Sequence, residues 1–503
     1  MKKLIIILVL LMPFSIFSQD APGEEQIGYR PPTVAGTFYP AAPGELRIMI
    51  DSMLNTKVPG RYGYMDIIGV VVPHAGYVFS GSVAAAAYKE VKGKDYDVAI
   101  IIAPSHHESF KGSSVFSGDA YVTPLGNVMV DKELAKTIAG YSDRILYSMQ
   151  GHKWRGVTPE HSIEVQLPFL QVVLPDTKIV PIVIGSQDLQ TEDILMRAIC
   201  AALSETNKKY LIIASTDLSH FHSADMADAM DKNLVRTFMR YDYFALQNLL
   251  AMGEIEACGG GPLVTTMMVA EQLGGTNASP VTYLHSGNTE AGKSRQNRVV
   301  GYFSGIIVKG KYREIAIPEL SASNKARLLD KVEEVVKNVV AGKDTSFFFG
   351  MVPMQLAQYS SAFVTLKEHG KLRACMGHTF ANNPLILEVQ EAAKLAATSD
   401  YRFGAIKESE VDSLQFEITV MSRMRRILDF DEIEIGKDGL FIRLGSNRGL
   451  LLPQVAIEWN WDVKTFLENL CLKAGLQKND YKNPMAQIYA FRALIIDEDD
   501  LED

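Results

Sequence analysis

Cysteine is scarce. Four occur in 503 residues, too few and too differently placed for the disulfide framework that staples small exported domains. Cys200 lies in a helical apolar run, Cys375 in a strand-like segment and Cys471 in a second helical pattern; each reads as a small, packed apolar residue. Basic runs are also missing. The formal net charge is −9, and no stripe of lysine and arginine offers a nucleic-acid surface, so no nucleic-acid partner is expected. Arg423, Arg425 and Arg426 form the densest basic cluster and read as the solvated end of a strand. No apolar run reaches the ~20 residues of a membrane-spanning helix, and the sequence carries no internal repeat.

What is present is a balance suited to burying real cores, with 47% hydrophobic and 22% charged residues. The length exceeds one ordinary domain and predicts two or three. At the N-terminus Lys2 and Lys3 precede an apolar run from Leu4 to Phe14, with Ser15 and Ser18 following. This order predicts a leader over 1–18, cleaved near Ser18–Gln19. Export to the periplasm or medium is then expected, with no stable membrane span after cleavage. A polar linker occupies 19–29.

From Tyr64 to about Val308 one grammar repeats: a short β-branched run, turn residues, then a helical pattern. Strands are expected at Ile67–Val72, Val98–Ala103, Ile179–Ile184, Tyr210–Ala214 and Val299–Val308, with a helix from about Gly81 to Val91. Alternation of this kind predicts an α/β domain over 30–308 with a mainly parallel, helix-covered sheet. A linker follows over 309–319. From 320 to 503 the pattern changes. A helix capped by Ser323 runs to Val340, strands cover Ala362–Leu366, Lys371–Met376, Gln415–Met421 and Leu440–Leu444, and helices cover Leu385–Ala397 and Val463–Ala474. These predict an α+β domain with an acidic tail at Asp497–Asp503.

Three strands of the first domain end alike, as VVVPHAGY, IIIAPSHH and LIIASTDLSHF. Each delivers a titratable group just past its carboxyl end: His74, the His106–His107 pair, and Asp217 with His220. Open parallel sheets bind ligands at that edge, so these imidazoles are expected to share a site. Cys258 opens the stretch CGGGP, where Pro262 suits a helix start. A cysteine there has its thiolate favoured by the helix dipole, as a nucleophile or a metal ligand. The alternative is a packed thiol beside a glycine turn. In EHSIEVQLPF, His161 is expected to line the pocket and Glu164 to orient it, against the plainer reading of a helix cap with an exposed face. His152, His222, His285, His369 and His378 have no comparable context.

The motifs PHAGY, PSHH, EHSIE–QLPF, STDLSH, CGGGP and the early AGTFYP resemble the Memo family over about residues 30–308. That family is similar to the class III extradiol dioxygenases, whose sheet carries a non-haem iron. The resemblance implies one metal ion held by His74, His106 and Cys258. It places His220, Asp217 and His161 at acid–base and substrate-lining positions. A thiolate among the ligands is softer than a carboxylate, so copper or zinc become competitive with iron; iron(II) or copper is favoured, with zinc as the alternative.

The motifs AFVTLKEHGKLRACMG, GLLLPQVAIEWNWD and FLENLCLKAGL resemble the AMMECR family over about 320–495. The family's usual LRGCIG is LRACMG here. Cys375 is the candidate reactive group of this domain, against a packed strand residue. In bacteria the two families occur beside a radical-SAM protein, which implies a pathway link. The leading expectation is a metal-dependent, dioxygenase-like oxidoreductase acting on an unknown small-molecule or peptide substrate. Two alternatives stand beside it: a cysteine enzyme using Cys258, and a non-catalytic adaptor for peptides or anions.

Overall fold

Uninterrupted β-branched runs need cover on both faces, and such runs supply the centre of the first region. The strands Ile67–Val72, Tyr210–Ser215, Val98–Pro104 and Lys178–Ile184 lie side by side in that order and run parallel. This is a computed structural model, which describes residues 28–55, 60–153, 159–310, 317, 319–343, 345 and 352–498. The expected leader, all but the end of the first linker, most of the second linker and residues 499–503 of the acidic tail lie outside the described residues. Among the described residues no helix is long and apolar enough to cross a membrane.

Among the described residues the full sheet has nine strands and is mixed, which corrects the expectation of a mainly parallel one. Val299–Lys309 runs antiparallel to Ile67–Val72, to Gly275–His285 and to His220–His222. On the other side Ser113–Phe116 runs antiparallel to Lys178–Ile184. The reason is connectivity. Parallel neighbours need a helical crossover, whereas Gly275–His285 returns directly into Val299–Lys309 as its antiparallel partner. A β-branched run signals burial and carries no record of strand direction.

The helix Tyr77–Val91 packs on Ile67–Val72 and Val299–Lys309, and Gly260–Gln272 packs across the parallel strands. The former begins four residues before the expected Gly81. Gly81 is a packing residue: a Cβ there would meet Met53 Sδ at 2.8 Å.

The second region is α+β, as expected. One antiparallel sheet orders Lys371–Gly377, Ser361–Glu368, Leu414–Met421 and Ala493–Ile496, with Ala322–Val340 and Leu385–Thr398 sharing its core. Ser321, not Ser323, caps the first of these helices, its side chain accepting from the Asn324 amide. A second sheet orders Arg425–Ile427, Gln487–Phe491, Gly439–Leu444 and Asn447–Leu451.

This second sheet docks on the first region. Phe441, Tyr489 and Phe491 are continuous with the first region's core, and the Phe244 ring meets those of Phe441 and Tyr489 edge-on at 5.4 and 5.0 Å. The arginine cluster sits in this seam rather than in solvent. Arg426 is 2% exposed, pairs with Asp193 at 2.7 Å, and donates its amide to Tyr243 Oη. Arg423 pairs with Glu271 at 2.6 Å, and Arg425 with Glu432. The carboxylates that accept Arg426 and Arg423 lie far away in sequence, so a local charge count missed them.

Candidate metal centre

Parallel strands place their carboxyl ends on one edge, and the chain uses that edge three times. His74 follows Ile67–Val72, His106 follows Val98–Pro104, and Asp217 and His220 follow Tyr210–Ser215. Cys258 comes from elsewhere, just ahead of the helix Gly260–Gln272. Backbone hydrogen bonding fixes it: the Cys258 amide donates to the Asp217 carbonyl, and the Asp217 amide donates to Cys258 Sγ, both at 3.2 Å. Only glycine permits this approach, because a Cβ on Gly259 would lie 2.4 Å from the Ser215 carbonyl oxygen.

His74, His106 and Cys258 thereby offer one donor atom each, all within 4.8 Å of one another. Cys258 Sγ lies 3.1 Å from His74 Nε2. Metal bonds of about 2.0–2.3 Å require ligand atoms on the order of 3–4 Å apart. Each ring is held by its other nitrogen. Ser215 Oγ meets His74 Nδ1 at 2.9 Å, and the Glu160 carboxylate meets His106 Nδ1 at 3.0 Å. Such outer partners fix the ring and leave Nε2 for a metal. Two imidazoles and a thiol, oriented in this way, fit a single divalent ion.

Electrostatics favour the metal-binding form at His74 and the protonated forms at His106 and Cys258. Burial, reinforced by the neighbouring His106 and His161 rings, lowers the His74 pKa well below the ordinary histidine value, keeping it in the neutral form that metals bind. Burial lowers His106 too, but the hydrogen bond and charge of Glu160 outweigh it and raise the value. The Cys258 thiol is raised by burial and by the Asp217 charge, contrary to the thiolate expected from the helix dipole. The first helix amides are already engaged, Gly259 with Thr216 Oγ1 and Gly261 with Gln187 Oε1. A metal cation would be the strongest force for deprotonating this thiol.

The remaining expected residues fall around this group. His161 stacks on His106 with centroids 4.9 Å apart and lies 4.6 Å from the Phe38 ring. His107 is exposed beside them. Asp217 is buried, and its Oδ1 accepts the His74 amide at 2.8 Å, so it holds the loop carrying a ligand. His220 Nδ1 faces the Leu218 carbonyl at 2.7 Å, which makes Nδ1 the protonated nitrogen and leaves Nε2 as an acceptor. His220 and Cys258 line the same cavity.

Glu164 does not orient His161. It is fully buried and receives Arg30, the Thr33 and Val34 amides, Thr33 Oγ1 and Tyr39 Oη, thereby pinning the early AGTFYP segment. The orienting carboxylate is Glu160. Besides the His106 ring it accepts the amides of His106, His161 and Ser162. The donor atoms of His106, Glu160 and His161 also lie within 4.8 Å of one another, but these amide bonds commit the Glu160 oxygens to holding the loop. Sequence reasoning missed Ser215 and Gln166 as well. Gln166 Nε2 donates to both Ser215 Oγ and the Pro73 carbonyl at 2.9 Å, and their signal was only a polar residue inside an otherwise apolar motif.

A family model described as Memo-like protein matches residues 30–306, and one described as AMMECR1 matches 331–496. A MEMO1 family protein of Methanobrevibacter smithii is 38% identical over 286 residues, covering 55% of this chain and 99% of the relative. Another from Pyrobaculum aerophilum is 34% identical over 281 residues, covering 55% and 97%. Among solved structures, an uncharacterized protein of Pyrococcus horikoshii is 30% identical, with a TM-score of 0.33, covering 35% of this chain and 92% of that one. With more than half of its length matched in this way, the chain belongs to the Memo family and carries an AMMECR1 region in the same polypeptide.

Proposed function

We propose that the Memo region is a metal-dependent oxidoreductase with one ion held by His74, His106 and Cys258. The observation that carries this reading is the convergence of three donor atoms within 4.8 Å, with both imidazoles tethered at their other nitrogen. A bound iron or copper ion would supply redox and Lewis-acid chemistry toward substrate or oxygen. The remaining roles belong to the protein. His220 Nε2 accepts or returns a substrate proton, a role supported by the Nδ1 contact with the Leu218 carbonyl, which leaves Nε2 facing away from the backbone partner. Asp217 keeps His74 in place through its amide. His161 and Phe38 provide an aromatic wall beside His106.

Elemental analysis of the protein purified from its native source tests the reading. About one iron or copper per chain is expected, lost in H74A and C258S and retained in H220Q. A chain that carries only zinc would contradict oxidoreduction and leave hydrolysis. Unchanged metal content in H74A and C258S would remove the site itself. Alkylation of Cys258 that proceeds equally with and without metal would favour its use as a nucleophile instead.

A further inference from the structure

The cavity that reaches Cys258 and His220 is not built by the Memo region alone. It has a volume of about 670 Å³, and its lining includes Arg443 and Arg448 of the AMMECR1 region. These two arginines face each other across a hairpin, paired in register between Gly439–Leu444 and Asn447–Leu451. Directly opposed residues of an antiparallel pair share one face, and like charges so placed repel. The chain keeps this repulsion at the wall of a cavity.

Neither arginine forms an ion pair with a described residue. Arg443 is 5% exposed, yet its partners are neutral: Gln487 Oε1 at 2.8 Å, Tyr489 Oη at 3.1 Å and Gln247 Oε1 at 3.3 Å. A buried guanidinium with no carboxylate in ion-pair contact is costly, and burial drives Glu192, whose charge Arg443 favours, toward its neutral form. The acidic groups lining the cavity are committed elsewhere. Asp188 caps the helix Leu189–Ser204, and Glu256 pairs with His222 at 3.0 Å. Glu192 accepts from Gln247 at 2.6 Å, and burial raises it to about 7. Arg448 is exposed toward solvent and has no hydrogen bond to another described residue.

We infer that Arg443 and Arg448 form an oxyanion-binding subsite, so that the AMMECR1 region completes the substrate pocket of the Memo region. The ligand class is a small molecule bearing a carboxylate or phosphate, with its reacting part toward Cys258 and His220. Two guanidinium groups present several N–H donors suited to such oxyanions. This inference rests on the metal reading for what happens at the other end of the pocket, while the anion subsite itself needs no metal.

Calorimetric titration of the full chain with inorganic phosphate and, separately, with malonate tests it, alongside elemental analysis of the same samples. One saturable site is expected for at least one of the two anions, and the stronger binder identifies the oxyanion. R448Q should weaken it about tenfold, the effect of losing one charge-assisted contact. K473Q, which removes an exposed charge elsewhere, should bind as the wild type does. Metal content should be the same in all three. Failure of both anions to saturate, or equal affinity in R448Q, would overturn the inference. Arg448-dependent binding by a chain without metal would overturn the metal reading alone.

Discussion

Glu160 grips His106 twice, one carboxylate oxygen on ring Nδ1 at 3.0 Å and the other on the amide of the same residue at 2.7 Å. Ring and backbone of a metal-ligand candidate are thus aligned by one side chain. E160Q keeps an acceptor near Nδ1 but removes the charge and the contact with the His106 amide, one of three amide contacts. Outer partners of this kind are worth roughly 10–100-fold in metal affinity. Competition with a chelator of known affinity should show a loss in that range for E160Q, with secondary structure unchanged by circular dichroism. An unchanged affinity would remove Glu160 from the centre.

Glu164 serves folding. Its carboxylate is the charge partner of Arg30, 1% exposed and paired at 2.6 Å. Removing one partner of a buried pair costs about 3–5 kcal/mol. E164A should therefore unfold at clearly lower urea concentration, while protein that remains folded keeps its metal. Wild-type stability in E164A would show that the 28–40 segment is held by other contacts.

Arg426 should behave similarly at the seam between the two regions. Its guanidinium meets Asp193 and the Ile488 and Ala486 carbonyls. R426A should cost on the order of 3 kcal/mol. It should also split unfolding into two transitions when followed by tryptophan emission and far-ultraviolet dichroism, because Trp459 and Trp461 report on the second region. A single transition at the wild-type midpoint would contradict the buried role.

Glu192 gives a pH signature. Burial raises its pKa to about 7 from an ordinary 4.5, against the lowering effects of Gln247 and Arg443 and with Asp188 and Asp193 also raising it. The folded chain then binds the proton more tightly than the unfolded chain between those values. Stability falls as pH rises through that window. E192Q lacks this loss, so its stability relative to wild type should rise by about 1–3 kcal/mol between pH 4.5 and pH 8. A difference independent of pH would show that Glu192 ionises freely.

Much of this was legible in the sequence because period and position report burial. The strand ends at His74, His106 and Asp217 were visible as apolar runs stopping at a polar group. The α+β character of the second region followed from its helix and hairpin signals. What escaped depended on partners distant in the chain. Glu164 and Arg426 look like surface charges until Arg30 and Asp193 arrive from 134 and 233 residues away. Glu160 and Glu164 lie four residues apart, and nothing local says which faces His106. The antiparallel strands were lost for a different reason, since residue type reflects burial and connectivity sets direction.

X-ray absorption at the edge of the bound metal tests most directly for a mixed sulfur and nitrogen centre. One sulfur and two imidazole nitrogens are expected in the first shell of the wild type, with the signal of bound metal lost in H74A and C258S. A first shell of oxygen and nitrogen alone, identical in wild type and C258S, would contradict it.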